Sequence, residues 1–144
     1  MQWHASRPVR AGLNTAAVLV LAGCGDRILG VEEVAGVYDV VSVNGEPLPI
    51  TTAMDTARSG VTRLTASSMV FRSDSSVTWA AEYEYSSPAI VNRWTETSPH
   101  FFRVVGREVR LHLFEITCCY ALVERAGNRL VFTLNGDVWT LQKR

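Results

Sequence analysis

Lysine is nearly missing from this chain. Among 144 residues only Lys143 is a lysine, and arginine supplies the other basic side chains. This reflects coding composition more than function. Cysteine is scarce too: Cys24, Cys118 and Cys119, with no C-x-x-C and no second pair to build a zinc site. His100 and His112 stand too far from other ligand types to form a metal motif. There is no Gly-x-Ser-x-Gly, no phosphate loop and no dinucleotide fingerprint. Neither metal nor cofactor is expected. No basic patch suggests nucleic acid, and no charge run suggests a tail. The longest apolar run is well short of the roughly 20 residues that cross a bilayer. No fixed-period repeat, low-complexity segment or long helical period occurs.

What is there begins at the N-terminus. Arg7 and Arg10 come first, without an acid, and a short apolar run from Ala11 to Gly23 follows. That is the layout of a secretory signal. Its end, "LAGC", resembles the lipobox of bacterial lipoproteins. The resemblance implies cleavage before Cys24 and lipid on the Cys24 sulfur, the thiol being the nucleophile that takes the diacylglycerol. Several acyl chains, at about 0.8 kcal/mol per buried methylene, anchor a protein durably. The membrane is thus an expected partner, through Cys24. Gly25 rather than Asp follows the cysteine. In the lipoproteins this resembles, that favours the outer membrane of a cell envelope, with the domain on the periplasmic face. The expected division is a signal peptide over 1–23, a lipidated cysteine and tether over 24–35, and one domain over 36–144. Cys24 to Arg144 is 121 residues, enough for a single core. It carries twelve basic and fourteen acidic residues, a net charge of −2.

From Gly36 onward the period is two. In "SVTWAAEYEY", Val77, Trp79, Ala81, Tyr83 and Tyr85 fall on one face; Thr78, Ala80, Glu82 and Glu84 fall on the other. "EVRLHLF" sets Val109, Leu111 and Leu113 opposite Arg110 and His112, so His112 is expected outside and exposed. Strands are expected near 36–43, 61–65, 67–73, 76–85, 90–96, 100–105, 108–114, 119–125, 129–134 and 137–142, separated by turn signals such as Asn44-Gly45 and Asn135-Gly136. The one helical signal is a capping-box spacing from Thr52 to Asp55. The fold class is all-β, an antiparallel meander barrel of about eight to ten strands. Adjacent Cys118 and Cys119 would point to opposite faces of a strand. One buried and one exposed thiol is the simpler outcome; a vicinal disulfide would require a distorted peptide.

"VAGVYDVVSVNGEPLP", Val34 to Pro49, is similar to the opening of bacterial lipocalin-like lipoproteins: a Gly-x-Tyr strand at Gly36 and Tyr38, then Ser-Val-Asn-Gly at Ser42 to Gly45, then Pro47 and Pro49. The end, "RAGNRLVFTLNGDVWTLQKR", is similar to theirs as well. The resemblance spans about 34–144 and implies a lipocalin-like barrel. It also implies that Tyr38 packs at the closed end against a basic side chain of the last strand, Lys143 or Arg144. META-type lipoprotein domains open similarly, but their Ser-Gly-x-x-Gly-Cys-Asn segment is absent here.

No catalytic constellation stands out, and no enzyme is expected. Glu82 and Glu84 read as a solvated outer face rather than a glycosidase pair. The candidate ligand-lining residues are Phe71, Trp79, Tyr83, Tyr85, Phe132 and Trp139. A small barrel either fills its interior or keeps room for one small ligand. The expected function is therefore a lipid-anchored envelope protein binding a small apolar or amphipathic molecule. The alternative is a structural or interaction lipoprotein with a side-chain-filled barrel. A hydrolase or isomerase at the barrel mouth ranks last.

Overall fold

A computed structural model describes residues 29–113 and 120–144. Cys24, Cys118 and Cys119, with the expectations placed on them, lie outside these. One helical turn, α1 (Val31–Val34), precedes ten strands: β1 (Gly36–Val43), β2 (Glu46–Pro47), β3 (Ile50–Asp55), β4 (Gly60–Phe71), β5 (Ser76–Ser86), β6 (Val91–Val105), β7 (Glu108–His112), β8 (Ala121–Ala126), β9 (Arg129–Leu134) and β10 (Asp137–Lys143). Strands β4 to β10 form an antiparallel meander. β1 closes it, pairing with β10 on one side and with β4 on the other. The result is the expected all-β barrel, with eight strands in the closed ring. The short β2 and β3 extend the other halves of β1 and β4 where these part. There Leu48 and Ile50 pack against the core.

Three local expectations change. The 52–55 segment is strand β3, not helix. The Asp55 carboxylate instead accepts the Arg58 N–H at 3.2 Å in the following turn. The strands expected at 61–65 and 67–73 are one strand, β4, bulged between Leu64 and Ala66 opposite β5. Those expected at 90–96 and 100–105 are also one strand, β6. Pro99 is tolerated inside it because β7 pairs only with Phe101 to Val105, so the missing donor falls beyond that partner.

The closed end is packed solid. Tyr38, Phe71 and Phe102 meet edge to face, with centroids 5.5 and 5.3 Å apart. Met69, Val77, Leu111, Leu130 and Leu141 fill in around them. Residues 29–35 belong to this end. The Leu29 N–H donates to the Gly106 carbonyl, and Val34 is wholly buried. Tyr38 donates its hydroxyl to the Val34 carbonyl at 2.8 Å. Of the two basic candidates, Lys143 reaches Tyr38: its Nζ lies 5.7 Å from the ring centroid and donates to the Ala35 carbonyl. The stem of Lys143 runs directly over Gly36, where any Cβ would collide with it. Arg144 turns outward and grips Asp39 with two hydrogen bonds, which holds the Asp39 carboxyl below the usual carboxylate range.

Two outcomes follow for stability. Phe102→Ala should cost about 3–5 kcal/mol in urea unfolding, since the site cannot collapse around the lost ring. Burial holds the Tyr38 phenol above its ordinary range, opposed by Arg125. The folded state therefore keeps that proton longer than the unfolded chain. Its contribution is complete below about pH 10 and is lost as pH rises further. Tyr38→Phe should cost about 1–3 kcal/mol by orphaning a buried carbonyl. It should also flatten the alkaline limb of a stability-against-pH curve.

Candidate functional site

Among the described residues, the opposite end of the barrel holds a cavity. Its wall is built from cross-strand pairs of β5 and β6: Trp79 with Ser98, Ala81 with Glu96, Tyr83 with Trp94. On β5 the small Ala81 separates Trp79 from Tyr83, and on β6 the small Ser98 stands opposite Trp79, so Ala81 and Ser98 leave space between the rings. That space is a cavity of about 230 Å³ lined by Trp79, Ala81, Tyr83, Glu96, Ser98, Leu134, Asn135 and Trp139.

The rings are held from behind. Trp79 Nε1 donates to Ser67 Oγ at 2.8 Å, and Ser67 donates to the Ala80 carbonyl. Trp79 and Trp139 meet at 86° with centroids 5.1 Å apart. Tyr83 stacks on Trp94 at 5.4 Å. The Trp94 indole N–H donates to Glu96 Oε1 at 3.0 Å, which fixes the carboxylate at the rim. Trp139 Nε1 is buried without an acceptor among the described residues. Beneath the cavity wall, buried His100 shares a hydrogen bond of 2.8 Å between its Nε2 and Ser98 Oγ.

Of the six lining candidates, Trp79, Tyr83 and Trp139 border this cavity. Phe132 is buried under them, its ring parallel to Trp139 and perpendicular to Trp79. Phe71 lies in the closed end between Tyr38 and Phe102. Tyr85 covers Gly60 of the neighbouring strand, where a Cβ would strike its ring. Sequence reasoning missed Ser67, Trp94, Glu96, Ser98 and His100. A signal for four of them existed: reading 91–105 as one strand puts Trp94, Glu96, Ser98, His100 and Phe102 on a single face.

A larger groove of about 610 Å³, open to solvent, runs among Leu29, Glu33, Arg107, Leu122 and Arg125, with Arg125 paired to Glu33 at 3.3 Å. Glu84 faces out, paired with Arg93 at 2.7 Å. No group of three or more metal-ligating side chains occurs among the described residues. His112 faces out as expected but is half-buried, stacked on Phe101 at 4.4 Å. Burial, then Arg103 and Arg110, hold its pKa below the ordinary imidazole value. No helix of the described residues is long and apolar enough to cross a membrane. No family profile, curated protein or solved structure matches the chain.

Ser67 tests how firmly the wall is held. Ser67→Ala should cost about 1–3 kcal/mol by orphaning the Trp79 indole N–H. Tryptophan emission should change as the ring loosens, with the fold kept by circular dichroism.

Proposed function

We propose that this protein is a lipid-anchored envelope lipoprotein with a lipocalin-like barrel that binds a small apolar or amphipathic molecule in its mouth. One observation carries the binding: a cavity of about 230 Å³ faced by Trp79, Tyr83 and Trp139 above a packed half-barrel. Mixed aromatic and polar walls are what small-molecule sites use, apolar area for affinity and a few polar groups for orientation. The contact of Lys143 on Tyr38 supports the lipocalin-like assignment. For the anchor, support comes from the sequence, where Arg7, Arg10, the apolar run and "LAGC" stand in order.

Geometry gives the anchored protein an orientation. Cys24 is five residues before Leu29, which is docked at the closed end. Five residues span at most about 17 Å. A lipid on Cys24 therefore turns the closed end to the membrane and the mouth to the aqueous side. An outer-membrane, periplasm-facing location suits this arrangement.

Titrating a small neutral fluorescent apolar probe should give a saturable change in tryptophan emission at one ligand per chain, lost in Ala81→Trp, which fills the cavity. No saturable response from a folded protein would leave the filled-barrel scaffold as the function. For the anchor, Cys24→Ser should move the protein out of the detergent phase; unchanged partitioning would reject lipidation.

The Ser98–His100 pair favours a second reading, a hydrolase at the mouth. A hydroxyl bonded to an imidazole is the start of a nucleophile–base pair, but acyl transfer also needs oxyanion donors. Under the binding function Ser98 should resist fluorophosphonate labelling. Covalent modification of Ser98, absent in His100→Gln, would establish the enzyme instead.

A further inference from the structure

We infer that the mouth cavity takes a small organic cation, an amine or quaternary ammonium group held between aromatic faces and the Glu96 carboxylate. This rests on the mouth being a ligand site and names what that site selects.

The lining carries the inference. Trp79 and Trp139 both border the cavity and pack edge to face, their planes 86° apart, and Tyr83 stands two residues beyond Ala81 on the same face of β5. Aromatic faces carry the negative part of the ring quadrupole, so a cation among several rings is attracted by each. Trp is the strongest such partner, and two of the three rings are Trp.

Charge decides between an aromatic cage and a merely greasy cleft. Glu96 is the one charged side chain among the described lining residues, and no Lys or Arg joins it there. Its placement is built rather than incidental. The carboxylate is tied by Trp94 Nε1, and Trp94 is itself stacked on Tyr83. Glu96 also stands opposite Ala81, the smallest side chain of the wall, so it borders the space that Ala81 leaves. An anionic ligand would meet this carboxylate at the rim. A neutral apolar ligand would gain nothing from it. A cation uses both the rings and the carboxylate. The cavity, about 230 Å³, suits a compact head group rather than a long chain.

The experiment uses the full chain in a neutral maltoside detergent. Tryptophan emission is followed during titration with tetramethylammonium, with choline, with 3,3-dimethylbutan-1-ol as the uncharged isostere of choline, and with acetate. The two cations should saturate at one per chain and bind at least ten-fold tighter than the isostere, with no saturable response to acetate. Glu96→Gln should weaken cation binding at least ten-fold and leave affinity for the neutral isostere unchanged. Its urea midpoint should stay at the wild-type value, which separates lost recognition from lost folding. Ala81→Leu should abolish binding of all three organic probes. Equal affinity for choline and its isostere, or a Glu96→Gln variant that binds cations normally, would overturn the inference. If apolar probes saturate the mouth while cations do not, cation selection fails and the mouth remains a ligand site. If neither class binds, both fall.

Discussion

Everything in this molecule depends on how the barrel closes. Strand β1 must pair at once with β10, from the far end of the chain, and with β4, some thirty residues on. Both pairings meet at Tyr38, whose partners are Lys143 on one side and Met69 on the other. The Tyr38 hydroxyl secures the Val34 carbonyl, and the Lys143 ammonium secures the Ala35 carbonyl. These two bonds satisfy backbone acceptors where α1 hands over to β1, the Val34 carbonyl buried, where an unmade bond would cost about 1–3 kcal/mol, and the Ala35 carbonyl part-buried. Gly36 adopts a positive φ of 151°, which other residues rarely take, and a Cβ there would push the end of the Lys143 side chain from its hydrogen bond to Ala35. Closure of the sheet and plugging of its end are therefore one construction.

That construction divides the barrel along its axis. Near Tyr38 the interior is filled by Phe71, Phe102 and a shell of aliphatic side chains, at the density expected of a protein core. Towards the mouth, β1 and β4 part, β2 and β3 take up their free edges, and β5 and β6 stay paired as far as Ser86 and Val91. The upper interior loses its close-packed ring of neighbours there. Alternation of Trp79, Ala81 and Tyr83 across from Ser98, Glu96 and Trp94 then leaves a gap instead of a plug. At the same rim, Asn44 imitates a backbone strand: its side chain accepts the Val138 N–H and donates to Asp137, which latches the β1–β2 turn to β10. A rigid rim around a partly empty interior is what a preformed binding site needs.

Legibility followed the strength of the local signal. Strand β5 was readable because its two faces differ cleanly, apolar rings against Thr and Glu, and the pleat turns that alternation into inside and outside. Strand β6 was readable only in pieces. Thr95, Thr97, Ser98 and Pro99 carry a loop composition, yet β5 pairs with them over their whole length, and tertiary pairing overrode propensity. The Thr52–Asp55 spacing misled for the same reason: Asp55 serves a tight turn, and β4 recruits the segment into the sheet.

Taken alone, the sequence determined the class of fold and the inward faces of most strands, which follow from a period of two and from which residues tolerate burial; the contact of Tyr38 with a basic residue of the last strand was an expectation of the resemblance alone. Tertiary structure alone decided the depth of each inward residue along the barrel. Phe71, Phe132, Tyr85, Trp79, Tyr83 and Trp139 share the same alternation, yet Phe71 is core, Tyr85 covers a glycine, and Trp79, Tyr83 and Trp139 face a cavity. Depth is set by strand register, which depends on contacts between residues distant in the chain that no local period encodes.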